Sequence, residues 1–227
     1  MMIQKAQLEV ACFNLQSALI AQQNGAHRVE LCDKIEEGGI TPSIEMVRES
    51  AKLLTIDRYV MIRPRGGNFV YSSVEFQQMK TQITQYKNQG VNGFVFGILT
   101  ANNHIDLSRN KELVAQASPL PCTFHRAFDE VLNPFQSLEE IIDCNFQTIL
   151  TSGQAQNALE GISLLSQLVK KANDRITIMP GGGLRSSNIE KIQQETQASF
   201  FHSSAIIDPQ NIANAIEIKK MIQMLSV

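Results

Sequence analysis

Several familiar signatures are missing from this sequence. It has no paired CxxC, no HExxH and no EF-hand loop, so the usual marks of structural zinc, zinc-dependent hydrolysis and calcium binding are absent. Cysteine is scarce: Cys12, Cys32, Cys122 and Cys144 are scattered too widely for a disulfide framework and read as free thiols in a reducing compartment. No run approaches the ~20 apolar residues of a membrane span. Met1 to Gln7 lack the long apolar core of a signal peptide. Charge of one sign is not in excess either. A net charge of −2 and a pI near 6.1 leave no basic footprint, which argues against nucleic acid as a partner. These absences predict a cytoplasmic protein without a membrane anchor. No linker or low-complexity segment interrupts the 227 residues, so residues 1–227 read as a single domain.

What is present is a repeated order of strand, chemistry, helix. Cys122-Thr123-Phe124-His125-Arg126-Ala127-Phe128-Asp129 shows it most clearly. A short apolar strand ends in an imidazole, a guanidinium and a carboxylate, and a helix opens at Asn133-Pro134, where Asn can cap and Pro fits the first helical position. The same order recurs eight times. Strands are predicted at Leu8–Cys12, Arg28–Cys32, Tyr59–Arg63, Gly93–Gly97, Cys122–Phe124, Thr148–Thr151, Ile176–Met179 and Ser199–His202. Asn14 caps the first helix, Thr41-Pro42 starts the second and Ser72–Glu75 forms a capping box. Another helix covers Leu107 to Ala117, and a long one runs from Ala155 to Ala172. Ser187–Glu190 reads as a second capping box, and Asp208-Pro209 as the start of the final helix. Eight such units in ~200–250 residues fit a (β/α)₈ TIM barrel of the α/β class. A doubly wound sheet would carry glycines after strand one, where this chain has Phe13-Asn14.

In a barrel, alternate strand residues point inward and functional groups gather at the C-terminal strand ends. That alternation turns Glu9, Glu30, Arg63, His125, Thr151 and His202 inward, and Leu8, Val10, Val29 and Leu31 toward the helices. An interior holding so many ionic groups must pair them. A salt-bridge network with Arg63 between Glu9 and Glu30 is one reading. The other makes Glu9, Glu30, Arg63, His125 and Asp129 a catalytic set, with His125 as the acid/base. Gly181-Gly182-Gly183 after strand seven and His202-Ser203-Ser204 after strand eight occupy positions where barrels cradle phosphate; Arg65 and Arg126 would add positive charge. Cys12 and Cys32, at the ends of adjacent strands with Met61 and Met179 nearby, would suit Cu(I) if their sulfurs meet.

The motifs carrying these residues resemble the CutC family: Leu8-Glu9-Val10 with Cys12, Gly25–Cys32, Gly38–Ser43, Met61–Gly67, Phe124–Asp129, Ile149–Gly153 and Met179–Gly183. Two positions depart from its pattern, His27 and Asn68, where Asp is common. The resemblance implies a cytoplasmic (β/α)₈ barrel, a homodimer or higher homo-oligomer, linked to copper homeostasis, with Cys12 and Cys32 as candidate copper ligands. Ser152 joins the anion-binding set. Two readings follow. One is a copper-handling protein that holds Cu(I). The other is an enzyme acting on a small anionic or phosphorylated substrate.

Overall fold

The computed structural model describes residues 6–225; the opening residues, read above as lacking a signal peptide's core, lie almost wholly outside that range. Eight strands alternate with eight helices: β1 (Gln7–Cys12), α1 (Leu15–Gln23), β2 (Arg28–Leu31), α2 (Ile44–Leu53), β3 (Asp57–Met61), α3 (Ser73–Lys87), β4 (Gly93–Phe96) and α4 (Leu107–Ala117) form the first half. The second half comprises β5 (Cys122–Phe124), α5 (Pro134–Asp143), β6 (Thr148–Thr151), α6 (Ile162–Ala172), β7 (Thr177–Pro180), α7 (Ile189–Thr196), β8 (Phe200–Ser203) and α8 (Ala215–Met224). Parallel ladders join every strand to its successor from β1 to β7, and β8 pairs with β1. β7 and β8 lie side by side without a recorded ladder, so the barrel is nearly closed.

Two layers of side chains follow from the two-residue period. Leu8, Val10, Val29, Leu31, Val60 and Phe94 point outward and form one continuous core with the apolar faces of the helices. The inward positions hold the ionic groups, together with a small cluster of Cys32, Tyr59, Met61 and Val95. Glycine is required where β4 passes Tyr59: a Cβ on Gly93 would sit 2.4 Å from the ring.

The helix caps follow the sequence in part. Asn14 accepts from the Ser17 amide at 2.8 Å, Asn133 caps α5 ahead of Pro134, and Ser72 with Glu75 makes the full reciprocal box. Several boundaries differ. The second helix starts at Ile44 with Ser43 as its N-cap, not at Thr41-Pro42, because Thr41 is engaged with the Arg63 backbone. The Ser187–Glu190 box does not form, because Asn188 is the N-cap residue and spends its side chain on Arg185 N and Gly183 O. The long helix begins at Ile162 rather than Ala155, since Ala155–Gly161 is drawn onto the rim by Ser152 Oγ donating to Ala155 O and Ala158 N donating to Gly182 O. The last helix starts after Asn214, which accepts from Glu217 N, while Asp208 serves a local turn with Gln210 N. Likewise β3 leaves its ladder before Arg63, whose amide donates to Thr41 Oγ1 and whose carbonyl accepts from Thr41 N.

Candidate functional site at the barrel mouth

The inward residues of β1, β2 and β8 form one connected array. Glu9 is fully buried, with one carboxylate oxygen paired to Arg28 Nε and the other 2.8 Å from His202 Nδ1. The opposite ring nitrogen of His202 lies 3.7 Å from Glu30 Oε2. Arg28 is held between two rings, 3.8 Å from the Tyr59 centroid and 4.4 Å from that of Phe200. Because Arg28 opens β2 and Glu30 lies two residues further on, the array climbs through the interior toward the mouth. Burial alone would raise the Glu9 carboxyl, but Arg28 and His202 hold it down at about 2. Glu30 goes the other way: burial, assisted by the Glu9 charge, lifts it to about 7 against the pull of His202. The His202 imidazole is raised; burial opposes its charge, but the bond to Glu9 and the Glu30 carboxylate outweigh it.

On the other wall stand Arg63, from the end of β3, and His125, from the end of β5. Both pack on Phe69, with Arg63 Cζ at 4.9 Å and the His125 ring at 4.7 Å from the phenyl centroid. Arg63 donates its terminal nitrogens to the carbonyls of Glu37, Gly39 and Gly67 at 2.8–2.9 Å. No carboxylate forms an ion pair with it among the described residues. The bridge between Glu9 and Glu30 expected of Arg63 is therefore made by His202, and Arg28 is the cation that neutralises Glu9. His125 Nδ1 accepts from the Ala127 amide at 3.3 Å, which leaves the proton of the neutral ring on Nε2. Burial, reinforced by the Arg63 charge, lowers the imidazole to about 3. At neutral pH His125 is thus uncharged, with its ring proton on Nε2 available for donation.

Between the two walls lies a cavity of about 110 Å³ whose lining includes Glu30, Cys32, Arg63, Phe69, His125 and His202. Three buried polar atoms without hydrogen-bond partners belong to residues of this lining: Glu30 Oε1, Arg63 Nε and His125 Nε2. Tyr71 Oη is also without a bond, although its ring packs beneath Arg65.

The remaining candidates serve the rim. Asp129 accepts from Thr151 Oγ1 at 2.5 Å, from Ser152 N at 3.0 Å and from Arg126 Nε at 2.7 Å, so it clamps the ends of β5 and β6 together. Arg126 also donates to Ser152 Oγ, and it lines the cavity with its guanidinium over Gly182. Arg65 pairs with Glu75 and braces its own loop through the carbonyls of Gly66, Asn68 and Val70. Asn68 takes part in that brace by accepting from Arg65 Nη2, and His27 accepts from Leu8 N. Among the glycines, a Cβ on Gly181 would meet Leu150 at 2.3 Å, and Gly182 and Gly183 have positive φ. Ser203 Oγ donates to Leu184 O and Ser204 Oγ accepts from Ile206 N, so both hydroxyls are engaged within the rim.

The cysteines part company. Cys12 packs in the outward core with Leu8 and Val10, its thiol bonded to Val10 O, while Cys32 belongs to the inward cluster and lines the cavity. Burial, with Glu30 close by, pushes both thiols well above the ordinary cysteine value. Among the described residues no group of three or more His, Cys, Asp or Glu side chains is placed to hold a metal ion. Arg28 and Phe69 are the functional neighbours the sequence reading passed over. Strand alternation marks Arg28 directly, two residues before Glu30; nothing in the pattern marks Phe69.

A nearly closed (β/α)₈ barrel with a cavity at the C-terminal ends of its strands, apolar for the most part but holding buried ionic groups, belongs to the large class of barrels built around a mouth site. Residues 6–207 match the CutC family, and the chain belongs to it. It is 44% identical to the copper homeostasis protein cutC homolog of Mus musculus over 87% of this chain and 73% of that one. A CutC family protein of Parabacteroides distasonis is 48% identical over 87% of this chain and 82% of its own length. The crystal structure of CutC from Streptococcus agalactiae superposes with a TM-score of 0.84 at 36% identity, covering 88% of this chain and 98% of the other. No helix among the described residues is long and apolar enough to cross a membrane.

Proposed function

We propose that the mouth cavity binds a small anionic molecule and carries out acid–base chemistry on it, with Glu30 as the proton carrier and His125 as a neutral donor. The observation that carries this reading is the buried guanidinium of Arg63, which has no ion-pair partner among the described residues and only the Glu37 carboxylate at longer range, beside two other partnerless polar atoms. A buried cation without a counter-charge is costly, and an anion entering the cavity would relieve that cost. Glu30, raised to about 7, is poised to give or take a proton near neutral pH. Arg126, on the outer lip above Gly182, is the group to meet a second anionic substituent. Titration with acetate and with inorganic phosphate by NMR tests this. Shifts should centre on the Gly38, Phe69 and His125 amides and vanish in Arg63→Met; shifts spread evenly over the surface would sink the reading.

The names of the relatives favour a second reading, in which copper is cargo. Cys32 and Met61 are soft donors lining the same cavity, and they support Cu(I) binding there better than the Cys12–Cys32 pair, whose side chains face opposite layers. The raised Cys32 thiol weighs against tight binding, and among the described residues no three His, Cys, Asp or Glu side chains are placed around one ion. In a Cu(I) titration Cys12→Ser should leave affinity unchanged, and Cys32→Ser should abolish whatever binding there is. The reading also places the protein in the cytoplasm, which its buried free thiols favour, as a homo-oligomer. A light-scattering mass near the monomer's 25.3 kDa would refute the assembly.

A further inference from the structure

The two walls of the cavity differ in kind, and the difference bears on what a bound anion would undergo. Arg63 and His125 offer positive charge and a hydrogen-bond donor, while Glu30 faces the same space with an unpartnered carboxylate oxygen. Ala11, Phe13, Met61, Phe69 and Leu150 supply the apolar remainder of the lining. A carboxylate in such surroundings is poorly solvated and correspondingly basic. A donor opposite it can receive charge that develops on an oxygen.

Other chemistries fit less well. Attack by Cys32 would need a thiolate, and its thiol is held protonated by burial and by Glu30. At about 110 Å³ the cavity is far below the ~300–1,000 Å³ of sites for drug-sized ligands, so the reacting part of the substrate is only a few atoms long.

We infer that the mouth cavity enolises a short 2-oxo acid: Arg63 takes the carboxylate, His125 Nε2–H takes the keto oxygen, and Glu30 Oε1 removes a proton from the adjoining carbon. The C3–H bond breaks and its proton passes to Glu30. The bonding pair becomes the C2–C3 double bond, and the carbonyl π pair moves onto oxygen as an enolate bonded to His125. Return of the proton completes a cycle that consumes nothing. Neither an oxidant nor a second substrate is needed.

His202 and Glu9 act here as positioning residues. Glu9, anchored by Arg28, accepts from His202 Nδ1 and so directs Nε2 at Glu30 Oε2, 3.7 Å away. This fixes which carboxylate oxygen is left without a partner.

The inference rests on the anion-binding reading above, and the two can fail separately. In D₂O the full chain is mixed with pyruvate, and loss of the methyl signal is followed by proton NMR. Oxamate, which has the same shape but no exchangeable C–H, is titrated in parallel by calorimetry. Wild-type protein should exchange the pyruvate protons at least 100-fold faster than Glu30→Gln, while both bind oxamate within a few-fold of each other. His202→Gln should slow exchange about tenfold and move the pH midpoint of the exchange rate, which a merely structural loss would not do. Oxamate binding without exchange overturns the enolisation and leaves the anion site standing. Absence of both binding and exchange overturns both.

Discussion

The two sides of the barrel interior handle buried charge in opposite ways. On the β1, β2 and β8 side, Arg28, Glu9, His202 and Glu30 form a chain in which each ionic group faces one of opposite character. On the β3 and β5 side, the Arg63 guanidinium packs on Phe69 and donates to backbone carbonyls rather than to a carboxylate, and His125 has been stripped of its charge. The first arrangement is paired throughout except at Glu30 Oε1; the second awaits an anion. What separates them is not residue type but the neighbour each strand register supplies. Glu9 pairs in register with Arg28 across the β1–β2 ladder and with His202 across the β1–β8 ladder, whereas no carboxylate is paired with Arg63.

Breaking the satisfied side should have the largest effect. Arg28→Met leaves Glu9 buried beside His202 alone, and removing one partner of a buried ion pair costs about 3–5 kcal/mol. A urea unfolding free energy that fell by less than a third of that would mean water or a rearranged partner replaces the guanidinium.

The next effect concerns acid. His125 takes up its proton only near pH 3 when folded but near 6.5 when unfolded, so between those values the unfolded chain holds more protons. Taken alone, His125 therefore lowers stability as pH drops through that window, by about 2–3 kcal/mol at pH 4.5 relative to pH 7, while Glu30 acts in the opposite direction over the same range. Glu9, held at about 2, adds a further loss below pH 4.5. His125→Phe should remove the imidazole's contribution, so that stability rises as pH falls from 7 to 4.5, while the Glu9 loss below pH 4.5 stays in place. Unfolding curves at several pH values read both, and an unchanged upper slope would show that the imidazole is not the group responsible.

Charge on the unsatisfied side should matter next. Arg63→Met should weaken acetate binding at least tenfold, which calorimetry measures. It should also loosen the loop whose carbonyls it holds, so Arg63→Lys serves as the companion variant, keeping charge but losing the fork.

Glu30 joins the two sides and gives a smaller but diagnostic signal. Its carboxyl, raised to about 7, binds more protons folded than unfolded between pH 4.5 and 7, so it contributes stability at low pH that is lost as pH rises through that range. Glu30→Gln should remove that contribution, roughly 1–3 kcal/mol between pH 4.5 and 7, leaving the opposing His125 slope steeper, with little change at pH 4. The smallest effect is expected from Cys12→Ala, about 1 kcal/mol of lost packing with anion binding intact, against Cys32→Ala, which enlarges the cavity itself.

The sequence made the barrel legible because each strand announces itself by a short apolar run followed by a polar end, and the two-residue period then assigned Glu9, Glu30, His125 and His202 to the interior. Where that period was read only at the C-terminal end, Arg28 escaped notice, although the same rule includes it. Cys12 shows the rule neglected in the other direction. It lies an odd number of residues from Glu9 and so faces the helices, however near its strand comes to Cys32. Partner choice was harder to see. Whether Arg63 meets a carboxylate or three carbonyls depends on the path of the Asp33–Ile40 loop, where Lys34 and Gly38 take left-handed conformations. The missed boundaries at Ile162 and Ala215 have the same origin, since rim hydrogen bonds from distant loops outcompete local helix signals.

One hydrogen atom sets the footing of the whole charge array. Gly93 presents hydrogen where any other residue would present carbon, and Tyr59 lies flat in the vacated space with Arg28 resting on its ring. An alanine there would tip the phenol, dislodge the guanidinium and, through Glu9 and His202, retune the acidity of Glu30 at the far end. A position on β4 with no functional group of its own thereby governs proton affinity across the barrel.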